Sequence, residues 1–169
     1  MLKKKQFFLF IFLAANLVFN VHAQNSQGIL GVWQVNRIVT AVGNQTYENS
    51  DPLPGLMIFT SGFYSMVWMP GGKPVPDNVR IWHPSDQEKV AQFNAIIVNS
   101  GKYVVQDSLL ITEPIVAKTP EFIGGKASYV WTLMNDILLL RTQETYSRDG
   151  ILDEGVQKYR TAIYLKRME

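Results

Sequence analysis

The sequence predicts an all-β domain: an eight-stranded antiparallel up-and-down barrel with one short helix between strands three and four. Three observations predict it. Runs with a period of two recur along the chain between clusters of turn residues, the pattern of half-buried strands. The runs number eight and are mostly joined by short turns. An even antiparallel set joined in this way can close on itself and leave no exposed edge. One segment alone switches to helical spacing. A two-sheet sandwich is the alternative for such a pattern, and the lack of internal repeats argues against a propeller.

Residues 1–23 stand outside this pattern. Lys3, Lys4 and Lys5 precede an apolar core from Phe7 to Val18, broken only by Asn16, and Val21-His22-Ala23 closes the segment. That layout is expected of a secretory signal peptide cut before Gln24. The apolar run is about 13 residues, whereas a spanning helix needs about 20, so no membrane span is expected to be retained. The expected location is the periplasm or the exterior.

Residues 24–169 form the expected barrel domain. They are enough to bury roughly two-thirds of the surface of the unfolded chain. Without the three leading lysines, 13 basic side chains face 14 acidic ones. The clustered positive excess of a nucleic-acid binder is therefore missing, and no nucleic-acid partner is expected. The sequence contains no cysteine. Stability must come from a packed core rather than from disulfides, and a lipid anchor on a cysteine is ruled out.

The strands follow in order. The first run covers 30–41. The second and third, 55–60 and 63–69, are split by "SG", where Gly62 can take a positive φ without steric cost. The stretch "PGGKPVPDN" at 70–78 is a loop. In "HPSDQEKVAQFNAII", Ser85 and Glu88 match a capping box, and Asp86 and Glu88 sit where the helix dipole favours anions. Val90, Phe93, Ile96 and Ile97 then fall on one stripe, predicting a helix of about ten residues. Strands resume over 97–106, 109–117, 127–134, 137–143 and 156–167, with "QDS" and "ND" as tight turns and "SRDGILDEG" at 147–155 as a longer loop.

The first run, "LGVWQVNRIV", places Gly31 two positions before Trp33. This G-x-W at the head of strand one resembles the lipocalins. "PGLMIFTSGFYSMVWM" (54–69), "SGKYVVQD" (100–107) and "KTPEFIGGK" (118–126) resemble, in that order, the pattern of the bacterial lipocalin-like domain family. The likeness runs from about Gly28 to Lys166. It implies that the glycine bends the chain into a barrel floor, that Trp33 plugs the closed end, and that an arginine near the end of the last strand packs across the indole. Arg167 is the match. The family pattern often carries a tyrosine before the "SG" and a histidine in the following strand; here Asn99 and the neighbourhood of Thr112 occupy those places. That departure weakens an enzymatic reading.

Candidate chemistry is sparse. His83 is the only histidine after residue 23, and its side chain suits proton transfer near neutrality. No cluster of His, Cys or carboxylates has metal-ligand spacing, so neither a metal nor another cofactor is expected. Glu113 and Arg141 are charges within apolar strands. Facing inward they would form a polar spot in an apolar cavity; facing outward they would be solvated. Aromatic residues are the richest signal. Tyr64, Met66 and Trp68 share one face, Trp82 precedes the helix, Tyr103 follows "SGK", and Tyr129 and Trp131 share a face. Rings line ligand pockets because they offer rigid apolar area at little entropic cost, and they also fill small barrels.

The expected function is binding of a small hydrophobic molecule in the barrel mouth, roofed by the 70–97 loop and helix. The expected ligand-binding residues are Tyr64, Met66, Trp68, Trp82, Tyr103, Glu113, Trp131 and Arg141. A cofactor-free isomerase, cyclase or hydratase on the same barrel is the alternative, with His83, Glu113, Arg141 or Tyr64 as acid–base groups. A secreted interaction protein with a filled core is the third possibility.

Overall fold

Period-two burial governs the chain in the computed structural model, which describes residues 26–70 and 82–169. The strands are β1 (Gly31–Val42), β2 (Gln45–Asn49), β3 (Leu56–Phe59), β4 (Phe63–Trp68), β5 (Ile97–Gln106), β6 (Leu109–Ala117), β7 (Lys126–Met134), β8 (Ile137–Tyr146) and β9 (Arg160–Arg167). Helix α1 (Asp86–Ala95) precedes β5, and α2 (Glu154–Lys158) precedes β9. Residues 1–23 and most of the 70–78 loop lie outside the described residues.

All strand pairs are antiparallel, in the order β2-β1-β3-β4-β5-β6-β7-β8-β9, and β1 also pairs with β9. Eight of the nine strands therefore close an up-and-down barrel. The remaining strand, β2, pairs only with the far half of β1, from Ile38↔Asn49 to Val42↔Gln45. It corrects the expected count. The helix lies between the fourth and fifth strands, not the third and fourth, because Gln45–Asn49 forms a strand that the period-two pattern does not show. All five of its residues are exposed, so no apolar alternation marks it. The second helix, α2, was also not expected; Asp153 caps it by accepting from the Gly155 amide at 2.8 Å.

Two-residue turns set the register of two hairpins. Asp107 and Asn135 each take φ of +53°, the left-handed region that short-side-chain polar residues tolerate. They join β5 to β6 and β7 to β8. Helix α1 begins as its capping box requires: the Glu88 carboxylate accepts from the Ser85 amide at 2.7 Å, and the Ser85 hydroxyl accepts from the Glu88 amide at 3.4 Å.

The core fills the end of the barrel where β1 begins and β9 ends. Trp33, Met57, Phe59, Leu110, Leu138, Leu140 and Leu165 are buried there. Phe59 meets Tyr103 edge to face, with centroids 5.4 Å apart. The opposite end is the mouth. It is bounded by the end of β4, the start of β5, the 117–126 connection and the 147–159 segment.

Candidate functional site

The floor is built from both ends of the sheet. Trp33 is fully buried and faces Arg167 across the β1–β9 ladder. The Arg167 guanidinium carbon lies 4.1 Å from the centre of the indole ring. Its nitrogens donate to the Leu30 and Gly28 carbonyls at 2.8 and 2.7 Å, and the Trp33 Nε1–H donates to the Ile29 carbonyl at 2.8 Å. A planar fork suits this task, since one face can stack while the edge donates. Gly31 has a φ of +127°, and a Cβ there would collide with the Glu169 carbonyl oxygen. The sequence places Gly31, Trp33 and Arg167 where the structure brings them together.

Above the packed half, the barrel opens into a cavity of about 490 Å³. Its wall within the barrel comes from Met66 and Trp68 of β4, Asn99 of β5, Ala127 and Tyr129 of β7, and Ile163 of β9. The rim adds the 117–122 turn and residues of the 147–156 loop. A wider recess of about 690 Å³ adjoins it, sharing Trp68, Ile97 and Val156. The cavity lies within the size range of small-molecule sites, and most of its inner surface is apolar.

The expected binding residues divide three ways. Met66 and Trp68 line the cavity. Tyr64, Tyr103 and Trp131 point inward but lie in the packed half. The Tyr103 hydroxyl donates to the Thr60 carbonyl at 2.8 Å, which fixes it as a structural residue. Trp82, Glu113 and Arg141 do not belong to the site. Trp82 is 86% exposed on the segment before α1. Glu113 lies opposite Lys102 on the outer face, because Leu110, Thr112 and Pro114 take the inward positions of β6. Arg141 is exposed for the same reason, with Leu138 and Leu140 turned inward. His83 is exposed as well.

The helix corrects another expectation. Its apolar stripe does not roof the mouth: Val90 and Phe93 are 59% and 56% exposed, and α1 has no buried residue. Ala91, Asn94 and Ala95 are the positions that edge the recess. Ile96 and Ile97 have already left the helix, and Ile97 begins β5. The Lys118 ammonium ties the end of α1 to the rim, donating to the Phe93 carbonyl at 2.9 Å and lying 4.8 Å from the centre of its ring.

Two buried polar residues, Asn99 and Thr112, are absent from the expected binding residues. Asn99 is only 5% exposed, and Thr112 is fully buried. No protein group partners the Asn99 Oδ1, the Tyr64 hydroxyl or the Trp131 Nε1. The Thr112 hydroxyl donates to the Ala127 carbonyl at 3.3 Å and lies beside the phenols of Tyr64 and Tyr129. Burial pushes the Tyr129 hydroxyl up to about 12 and drives Tyr64 upward as well. Both stay protonated donors near neutrality. Period-two parity was the available signal for Asn99, since it shares the inward face of β5 with Tyr103.

Among the described residues, no cluster of three His, Cys, Asp or Glu side chains is arranged to hold a metal ion. No helix among them is long and apolar enough to cross a membrane. Searches of protein-family models, curated proteins and solved structures find no match to the chain.

Proposed function

We propose that the protein is an exported, lipocalin-like carrier that holds a small hydrophobic molecule in the mouth half of its barrel without transforming it. The observation that carries this reading is the cavity of about 490 Å³ above a sealed floor, walled by Met66, Trp68, Ala127 and Ile163. A barrel filled by side chains would leave no such space, and that favours a carrier over an interaction protein. The glycine, tryptophan and arginine of the floor support the lipocalin resemblance, and the layout of residues 1–23 supports export.

Two observations favour binding over catalysis. His83, Glu113 and Arg141 stand outside the cavity. The inward tyrosines have hydroxyls pushed upward by burial, which makes them poor bases near neutrality. Burying about 300 Å² of apolar ligand surface would supply roughly 7 kcal/mol at 25 cal/mol per Å². That corresponds to a Kd of about 10 μM before ordering costs, which weaken it to roughly tens to hundreds of micromolar. The test is titration with an environment-sensitive apolar dye, retinoids and fatty-chain compounds, followed by tryptophan fluorescence and dye displacement. Saturable binding of one ligand per chain is expected; its absence across the set would reject the carrier.

A further inference from the structure

We infer that the cavity selects amphiphiles whose polar end is uncharged and donates a hydrogen bond, such as an alcohol or primary amide, with that end held at Asn99. The inference rests on the carrier reading and adds the chemical class of the ligand. Asn99 stands opposite Met66 on one side and Ala117 on the other, with its side chain turned into the barrel and into the cavity wall. Its amide oxygen has no protein partner, although the residue is nineteen-twentieths buried. A buried acceptor without a partner is costly, and a ligand entering the cavity can supply a donor. The free group is an acceptor, so it takes the donor that a hydroxyl or a primary amide supplies.

The surroundings offer no opposite charge inside the barrel. The other buried polar groups inside the barrel among the described residues include the hydroxyls of Thr112, Tyr64 and Tyr129 and the Trp131 Nε1–H, none of them charged near pH 7. A carboxylate or ammonium lodged beside them would lose its hydration without meeting an opposite charge. The rim offers an anion little either. Glu121 and Asp153 carry negative charge there, and the Lys118 ammonium is already engaged with the Phe93 carbonyl and ring. The chain of the ligand would lie against Met66, Trp68 and Ile163 of the cavity wall.

The test compares lauryl alcohol, lauramide, laurate and dodecane as displacers of a bound apolar dye, at a pH where laurate is ionised. The alcohol and the amide should bind at least about tenfold more tightly than laurate, and the alcohol several-fold more tightly than the alkane. In Asn99→Leu the advantage of the alcohol over the alkane should disappear while dye binding persists. Asn99→Ser, which keeps a hydroxyl in the cavity wall, should retain part of that advantage, so the result does not depend on one variant folding. Laurate binding as tightly as the alcohol would overturn the inference and leave the carrier reading in place. So would an alcohol advantage unchanged in a folded Asn99→Leu. Failure of the dye and of every compound to bind would overturn both.

Discussion

Replacing Trp33 by alanine tests the floor most directly. The side chain is fully buried, and three contributions are lost together. Removing the ring forfeits its transfer free energy and leaves a cavity, which for a large buried aromatic costs about 3–5 kcal/mol. The Ile29 carbonyl loses the 2.8 Å bond from the indole, and Arg167 loses the face on which it stacks at 4.1 Å. The stacking part is worth roughly 0.5–2 kcal/mol and is contained within the total rather than added to it. Since domains of this size are stable by only about 5–15 kcal/mol, the variant should lose a large share of its stability. Urea unfolding followed by far-ultraviolet circular dichroism gives the loss as a shift in midpoint at constant slope. A double-mutant cycle with Arg167→Ala isolates the coupling, expected at about 1–2 kcal/mol. A loss below about 1 kcal/mol for Trp33→Ala would refute the sealed floor, because surface substitutions alone reach about half of that. Zero coupling would refute the stacked pair.

Trp68→Ala should weaken dye binding by about tenfold, because it removes a cavity wall worth one to two kcal/mol of contact; Trp82→Ala, at an 86% exposed position, should leave binding and stability unchanged. Alkaline titration should expose the buried tyrosines. The folded state holds the Tyr129 hydroxyl up to about 12, against about 10 in the unfolded chain, so the proton is bound more tightly when folded. Its contribution is therefore full below about pH 10 and is lost as pH rises toward 12. Unfolding midpoints should fall across that window, and less steeply in Tyr129→Phe; an unchanged slope would contradict the burial of this hydroxyl. N-terminal sequencing of the exported product should begin at Gln24, and recovery of Met1 on that product would remove the signal peptide.

The barrel was legible because most strands alternate cleanly and their turns carry strong chemistry, as Gly62, Asp107 and Asn135 do with φ of +95°, +53° and +53°. The capping box of α1 was legible for the same local reason. β2 was not, since a strand polar on every side leaves no periodic trace. The wrong expectations at Glu113 and Arg141 share one cause. In β6 and β8 both faces carry branched apolar residues, so alternation alone cannot say which face turns inward; the pairing decides it. The stripe on α1 misled because helical spacing records which residues share a side, not whether that side meets anything. Asn99 and Thr112 stood out only as departures from the family resemblance, and they prove to be polar residues buried within the barrel.

The seam between β1 and β9 has a kinetic consequence. The other barrel seams join strands that follow one another along the barrel, three of them (β3–β4, β5–β6 and β7–β8) across turns of two to three residues. The Arg167 to Leu30 contact spans 137 positions. Closing so long a loop is entropically expensive, and such contacts form late in folding. Interactions absent from the transition state act on the rate of unfolding rather than on the rate of folding. Arg167, laid over Trp33, closes that seam. Its loss is therefore expected to speed unfolding more than it slows folding, so that the last contact made in the chain is the one that holds the barrel shut.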